Sequence, residues 1–416
     1  MKKFLSLLLV CCLLLTLFAA CTKKDDTPPP ADDGDNETPA AETLKIGINY
    51  ERSGGVATYG NSSVDGILMA FEQINAAGGV NGKLIEYEEH SMDNGSDSAE
   101  ATTVATRLMT QHQVLAVLGP ATSGAFKATI PVANKNKVPV ISGSATADDV
   151  TGNFQYDEEG NLVLDTDGKP SGLQEYAFRI CFSDSYQGTA MAMFAANDLK
   201  ATKAVVITDT SSDYGKGLAR NFVATFVEGG GTVVAQEGYV KDETNFNAVL
   251  TRLKGLDFDV IFIPGYYNEA GLIIKQARAL GIDVPVLGAD GFDSPDLLSL
   301  AGAEALNDIY FSNHYSSLSE DPVVTKFIAD FKARYNREPD AFNALGYDLG
   351  MFVADALGRA AEATGEALKV ALEETDGFAG VTGRFSVDAQ HNPVKALVVI
   401  GLENGVQVSS VNASVS

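Results

Sequence analysis

The chain has 416 residues and a formal net charge of −25, from 55 acidic and 30 basic residues. A surface this acidic repels phosphate groups, so we expect neither nucleic acid nor an anionic lipid surface as a partner. Of the four cysteines only Cys181 lies beyond residue 21, so the folded part cannot form an internal disulfide and must depend on its apolar core.

The N-terminal segment has the pattern of an export signal. The chain opens with the sequence MKK, and residues 4–20 form an uncharged apolar run that is short for a transmembrane helix. The sequence FAAC at 18–21 resembles the lipobox of bacterial lipoproteins, in which the cysteine receives lipid, although Phe18 stands where Leu is usual. We therefore expect a signal peptide over 1–20 and lipidation of Cys21. An ordinary cleaved signal is the alternative.

The next segment is predicted to be a tether. Residues 22–43 are rich in proline and acidic side chains and nearly lack large apolar ones. Such a segment cannot bury enough apolar surface to offset the entropy lost on ordering. We expect residues 21–43 to form a lipidated cysteine followed by a disordered linker, with a propeptide as the alternative.

From residue 44 onward the chain alternates between β-type runs and helical spacing. Val64, Ile67, Leu68 and Phe71 recur at helical spacing, whereas 114–118 is a continuous apolar run typical of a buried strand. Repeated strand–helix alternation predicts a parallel sheet with helices on both faces. Strands are predicted at 44–50, 84–90, 114–118 and 138–141, and helices at 60–77, 98–111 and 123–134.

The same alternation restarts in the second half of the chain. A polar stretch at 148–175, with two glycine turns around a short apolar run, separates the two series and predicts a surface β-hairpin insertion. Two such series predict two lobes. Strands are predicted at 204–208, 233–236, 260–263 and 284–287, and helices at 215–226, 246–253 and 269–280.

Longer helices follow at 323–335 and 342–362, and a last strand is predicted at 395–402. This order indicates that the chain returns to its first lobe. The predicted fold class is α/β, with two doubly wound parallel-sheet lobes joined by a hinge of several chain crossings. Lobe 1 is predicted to comprise 44–181 plus 317–388, with the insertion inside it, and lobe 2 to comprise 182–316 plus 389–416.

These segments resemble the type I periplasmic binding proteins, and among them the binding proteins for branched-chain amino acids of ABC importers. The resemblance extends over nearly all of 44–402 and depends on an ordered set of motifs, each weak by itself. The motifs are SGGVATYG at 53–60, INAAGGVNG at 74–82, VLGPATS at 117–123, PVISGSAT at 139–146, DYGKGLAR at 213–220, GYYNE at 265–269, QAR at 276–278 and LGADG at 287–291.

The resemblance implies a site for an amino acid between two closing lobes. Ser123 and Thr146 match the positions that hold the ligand carboxylate, with main-chain amides at helix starts. Ser144 matches a position whose carbonyl meets the ligand ammonium. Asp290 matches an acidic partner of the ammonium. A member of the family has Glu at this position, so the side chain here is one methylene shorter.

Aromatic positions complete the implied site. Tyr59, Tyr214 and Tyr266 match the walls of the cleft, and Phe342 is a weaker candidate for the side-chain pocket. Taken singly, the serine and threonine are typical of helix N-caps, the tyrosines of core or surface positions, and Asp290 of a turn. Only their joint order favours a binding site.

The sequence gives little support to an enzyme. The four histidines are scattered without metal-ligand spacing, and single histidines of this kind are usually surface or helix residues. The P-loop, the nucleophile elbow and the dinucleotide motif are likewise missing from the sequence. We expect no cofactor and no metal site.

The expected function is therefore that of a monomeric, extracytoplasmic binding protein that serves ABC permease subunits and contacts the membrane only through its lipid. Two alternatives stay open at this point. One is a surface receptor of the same fold that reports its ligand to a signalling partner, and the other is an α/β enzyme that turns its ligand over.

Overall fold

The structure is a computed structural model that describes residues 42–413. The predicted signal peptide, the lipidated Cys21, nearly all of the predicted tether and the last three residues of the predicted second lobe lie outside the described residues. No helix within the described part is both long and apolar enough to cross a bilayer.

Strands and helices alternate along the first part of the chain, as the periodicity predicts. The predicted strand at 84–90 is wrong in part, because a 3-10 turn at Glu88–His90 divides it into two short strands. The elements are β1 (Leu44–Tyr50), α1 (Ala57–Ala76), β2 (Ile85–Glu86), β3 (Ser91–Asp93), α2 (Ser98–Arg107), β4 (Ala116–Leu118), α3 (Ser123–Asn136), β5 (Val140–Ser142) and β6 (Ala177–Arg179).

A second series of elements follows in the same alternating order. It comprises α4 (Asp184–Asn197), β7 (Lys203–Asp209), α5 (Asp213–Glu228), β8 (Thr232–Tyr239), α6 (Asn247–Leu253), β9 (Val260–Phe262), α7 (Tyr267–Ala279), β10 (Val286–Gly288), α8 (Pro295–Ala301) and β11 (Ile309–Asn313). The C-terminal part then contains α9 (Pro322–Tyr335), α10 (Ala341–Arg359), α11 (Gly365–Glu373), β12 (Phe378–Gly380), β13 (Gly383–Phe385), β14 (Leu397–Glu403) and β15 (Val406–Ala413).

Two large sheets organise these elements, which confirms the predicted α/β fold class. The first sheet has the order β2-β1-β4-β5-β6, with β3 also paired to β1, and its ladders are all parallel. The second has the order β15-β14-β11-β10-β9-β7-β8. Its β7 to β11 ladders are parallel, whereas β14 and β15 add an antiparallel hairpin at one edge.

The chain crosses between the two sheets three times: after β6, after β11 and before β14. We call the part around the first sheet the first half and the part around the second sheet the second half. After β11 the chain returns to the first half, where α10 packs along α1. The predicted lobe boundaries at 181, 317 and 389 stay predictions.

The segment 148–175 forms isolated antiparallel bridges in place of one regular hairpin. Two tight turns follow each other, and an aspartate organises each of them. Asp157 accepts from the backbone N–H of Asn161 at 2.7 Å, and Asp165 accepts from that of Lys169 at 3.0 Å. The bridges join Gly152 to Leu173, Tyr156 to Leu162, and Leu164 to Pro170.

Helices α1 and α10 approach closely because glycines face each other at their contact. A β-carbon added at Gly66 would lie 2.1 Å from the carbonyl oxygen of Asn343, and one added at Gly346 would lie 2.0 Å from that of Ser63. Since backbone atoms cannot move aside as a side chain can, both positions require glycine.

The close contact of α1 with α10 predicts that alanine has different effects on stability at two glycines of α10. Gly346→Ala would force α10 away from α1, and we expect a loss of at least ~2 kcal/mol in the free energy of unfolding. Gly358→Ala is the matched control, since its β-carbon would meet only Val80 Cγ1 at 3.7 Å. Its effect should lie between neutral and a gain of ~1 kcal/mol. Urea denaturation measures both, and equal stabilities would contradict the packing described here.

Candidate functional site

The carboxyl ends of the central strands of both halves meet at one narrow cavity. Side chains at such strand ends are positioned by the sheets themselves, and loops then lead into helices. The structure brings six of the seven predicted residues to this cavity, and Phe342 lines it too. The six are Tyr59, Ser123, Ser144, Tyr214, Tyr266 and Asp290.

The first half presents the start of α3 to the cavity. The side chain of the N-cap residue Thr122 makes no capping hydrogen bond, and its hydroxyl donates to the carboxylate of Glu51 at 2.8 Å. The same carboxylate accepts from the backbone N–H groups of Ala121 and Thr122 at 2.9 and 3.0 Å. The first turn of α3 therefore begins with amides that no side chain caps, an arrangement that favours an anion.

Sequence reasoning missed Glu51. It is fully buried and follows β1 directly, and its role depends on a loop some 70 positions further along the chain. A charged residue directly after a strand of buried apolar residues was the only signal for it.

The two serines are held in place by the backbone. Ser123 Oγ accepts from the N–H of Ala147 at 3.0 Å, so its own hydroxyl proton is left for another acceptor. Ser144 Oγ donates to the carbonyl of Ala121 at 3.0 Å and keeps its lone pairs as acceptors. The two hydroxyls thus offer one donor and one acceptor at the cavity wall.

Thr146 is the one predicted residue that does not line the cavity. It is fully buried, and its hydroxyl oxygen has no hydrogen-bond partner among the described residues. Its carbonyl accepts from the backbone N–H of Asp184 at 2.8 Å, which places the start of α4 next to it. The two carboxyl oxygens of Asp184 also lack a partner within the described part.

Asp184 is a second residue that the sequence did not reveal, because an acidic residue in the first turn of a helix is typical of ordinary capping. Burial raises the pKa of its carboxyl well above the usual range, and the nearby charge of Asp290 acts in the same direction. Thr146 and Asp184 thus form a buried polar layer in which the Thr146 hydroxyl lies beside the Asp184 carboxyl.

The second half presents Asp290, which begins a 3-10 turn two residues after β10 ends and is buried. Its Oδ1 accepts from the hydroxyl of Tyr214 at 2.7 Å, and Tyr214 in turn accepts from the N–H of Gly291 at 2.9 Å. Its Oδ2 lies 3.3 Å from Nε2 of His314. Burial lowers the pKa of His314 to about 4, so the imidazole is neutral at pH 7 and donates to the carboxylate without cancelling its charge.

His314 corrects the expectation that the histidines are surface or helix residues. It is buried at the end of β11, and its ring stacks on Phe182 with 3.7 Å between centroids. The scattered positions of the histidines in the sequence gave no indication of this contact, which joins residues from two crossings between the halves.

Aromatic rings form the rest of the cavity wall. Tyr59 stacks on Phe342 with 4.2 Å between ring centroids, and it meets the edge of Tyr266 at 5.7 Å. Tyr214 stacks on Tyr266 at 5.0 Å. The hydroxyl of Tyr59 donates to the carbonyl of Gly291 in the other half. The rings therefore give the cavity an apolar wall and also join the two halves.

Polar contacts beside the cavity also cross between the halves. Lys127, on α3, binds Asp213, at the start of α5, at 2.7 Å, and it binds Asp149 of its own half at 2.7 Å. Lys127 and Lys216 lower the pKa of Asp213 to about 2. Arg220 and Asp148 form a second pair across the halves at 3.1 Å. The halves are thus in contact around the cavity.

Known proteins share this architecture. Residues 43–406 match the family model described as periplasmic binding protein. A leucine-, isoleucine-, valine-, threonine- and alanine-binding protein of Pseudomonas aeruginosa is 28% identical over 350 residues, which cover 84% of this chain and 87% of that protein.

Two solved structures are similar over nearly their whole length. One is the branched-chain amino acid transporter substrate-binding protein LivJ of Streptococcus pneumoniae in complex with isoleucine, at 41% identity and a TM-score of 0.81. The other is the leucine-binding protein LivK of Thermotoga maritima, at 32% identity and a TM-score of 0.79. Each comparison covers 89% of this chain and 99% of the other.

Proposed function

Because the chain belongs to the type I periplasmic binding proteins, in the branched-chain amino acid family, we propose that it binds an aliphatic amino acid between its two halves and delivers it to the permease of an ABC importer. One observation carries the proposal: an uncapped helix start on the first half and an acidic side chain held by neutral donors on the second half line the same cavity. A zwitterionic amino acid needs donors for its carboxylate and a negative charge near its ammonium.

The ligand carboxylate would lie at the start of α3. The free amides of the first turn and the hydroxyl proton of Ser123 are donors for it, and the helix dipole favours a negative charge there. None of the described residues that line the cavity is Lys or Arg. Neutral donors would therefore hold the carboxylate.

The ligand ammonium would lie between Ser144 and Asp290. Removing an ammonium from water requires acceptors and a negative charge close by, and Asp290 is buried with only neutral donors bound to it. Thr146 would act in the layer behind this position, together with Asp184, as a buried polar group.

The ligand side chain would pack against the aromatic rings. Tyr59, Tyr266 and Phe342 offer apolar ring faces against which an aliphatic side chain can pack. The relatives from Streptococcus pneumoniae and Thermotoga maritima are proteins for branched-chain amino acids and for leucine, respectively, which supports the same ligand class here.

The proposal extends to location and partners. The protein would work outside the cytoplasm as a monomer, anchored by lipid on Cys21, and would release its ligand unaltered. The relatives described above are binding proteins for amino acids, one of them by name part of a transporter, which favours transport over signalling or turnover.

Titration calorimetry against the twenty amino acids tests the ligand class. We expect leucine, isoleucine and valine to bind most tightly. Asp290→Asn should weaken binding by at least ~2 kcal/mol, about thirty-fold, because the ammonium loses its charged partner. Asp257→Asn is the control, since that side chain is 87% exposed and its partner among the described residues is Lys203 at the surface. If no amino acid binds, the proposed function is wrong.

Lys127 and Lys216 both form an ion pair with Asp213. Substituting each in turn tests whether contacts between the halves contribute to ligand affinity. Lys127→Met removes a pair across the halves, whereas Lys216→Met removes a pair of Asp213 within α5. We expect Lys127→Met to weaken ligand binding by up to ~1 kcal/mol at low salt, and the difference from the wild type to shrink as salt screens the pair. Equal affinities of the two variants would show that the pair does not favour the closed form.

Labelling with a radioactive fatty acid in a bacterial host tests the anchor. The wild type and Cys181→Ser should incorporate the label and remain with the membrane fraction. Cys21→Ser should incorporate none, because the thiol that accepts the lipid is gone. Label on the Cys21→Ser variant, or none on the wild type, would contradict the predicted lipidation.

A further inference from the structure

Two histidines that lie 22 positions apart meet in the first half, away from the cavity. His90 ends the 3-10 turn after β2, and His112 ends a π-helical turn, Leu108–His112, that follows α2. Their Nδ1 atoms are 2.9 Å apart. Turns of the π type are rare and are often found at functional sites, and here the wider turn carries the second imidazole to the first.

The carboxylate of Glu86 fixes the orientation of His90. Its Oε1 lies 3.1 Å from Nε2 of His90, and its Oε2 accepts from the hydroxyl of Thr43. A carboxylate only accepts, so Nε2 of His90 carries the proton. Nδ1 of His90 then presents a lone pair to His112, whose Nδ1–H donates to it. The side chain of His90 is 4% exposed, so the ring is fixed by its surroundings.

We propose that His90 and His112 bind a divalent late transition-metal ion through their Nδ1 atoms, with Cu²⁺ bound most strongly. Histidine ligands of metals commonly donate their other ring N–H to a carboxylate, which orients the ring and makes it a better ligand. Glu86 stands in that relation to His90. His112 is partly exposed, so an ion has access from solvent.

The distance between the Nδ1 atoms of His90 and His112 favours some metal ions over others. Two metal–nitrogen bonds of ~2.0–2.1 Å whose ends are 2.9 Å apart meet at about 90°. That angle is typical of the square-planar and octahedral sites of Cu²⁺ and Ni²⁺. A tetrahedral Zn²⁺ site needs its nitrogens about 3.3 Å apart, so the pair would have to widen.

Water would complete the coordination. Among the described residues no group of three or more His, Cys, Asp or Glu side chains is arranged to hold a metal, so the protein supplies two ligands only. The proton between the two rings must also move: His112 gives up its Nδ1 proton to solvent and takes one at Nε2, so its net charge does not change.

Calorimetry and electron paramagnetic resonance with CuCl₂ test the site on the purified chain without a histidine tag. We expect one Cu²⁺ per chain with two nitrogen ligands, and affinities in the order Cu²⁺, then Ni²⁺ and Zn²⁺, then Mn²⁺. His90→Gln and His112→Gln should each weaken Cu²⁺ binding more than ten-fold. Glu86→Gln should weaken it roughly 10- to 100-fold.

Glu88→Gln is the matched control, because this neighbouring carboxylate is exposed and forms no hydrogen bond with either imidazole. It should bind Cu²⁺ as the wild type does. Thermal unfolding verifies that each variant is folded. The proposal is wrong if the wild type takes up no Cu²⁺, or if both histidine variants bind it unchanged, since the ion would then lie elsewhere on the chain.

Discussion

A buried carboxylate that meets no cationic partner among the described residues is the constraint on which the site depends. Asp290 is buried and is held by the hydroxyl of Tyr214 and the neutral imidazole of His314, neither of which cancels its charge. A negative charge in such surroundings is unfavourable unless a cation comes to it. The proposed ligand supplies that cation as its ammonium. The same interaction would therefore bind the ligand and balance the buried negative charge of Asp290.

The first half offers the complementary contact, for the negatively charged end of the proposed ligand. Glu51 accepts from the hydroxyl and the N–H of Thr122, and no side chain of the described residues caps the start of α3. A helix start of this kind favours an anion, here the proposed carboxylate. Each half by itself thus has an incomplete set of contacts. A ligand with both charges completes the two sets only when the halves are together, which is why closure and binding would be linked.

The chain crossings between the halves are joined to each other by hydrogen bonds and by ring stacking. Lys395, just before β14, is half-buried; its Nζ donates to the carbonyl of Ile180 at 3.1 Å and to the hydroxyl of Thr382 at 2.6 Å. Burial lowers its pKa to about 8. One side chain thereby joins two of the three crossings to the first half. The ring of His314 on Phe182 joins the crossing after β11 to the one after β6.

The sequence by itself determined the α/β alternation and the residues at strand ends, because apolar periodicity is local and parallel strands place their carboxyl ends together. Hence six predicted residues, among them Ser123 and Asp290, line one cavity. Only the tertiary structure decided the antiparallel pairing of β11 with β14, the roles of Glu51 and Asp184, and the meeting of His90 with His112. Those contacts join residues far apart in the chain, and nothing in the local pattern of either partner encodes which group it will face.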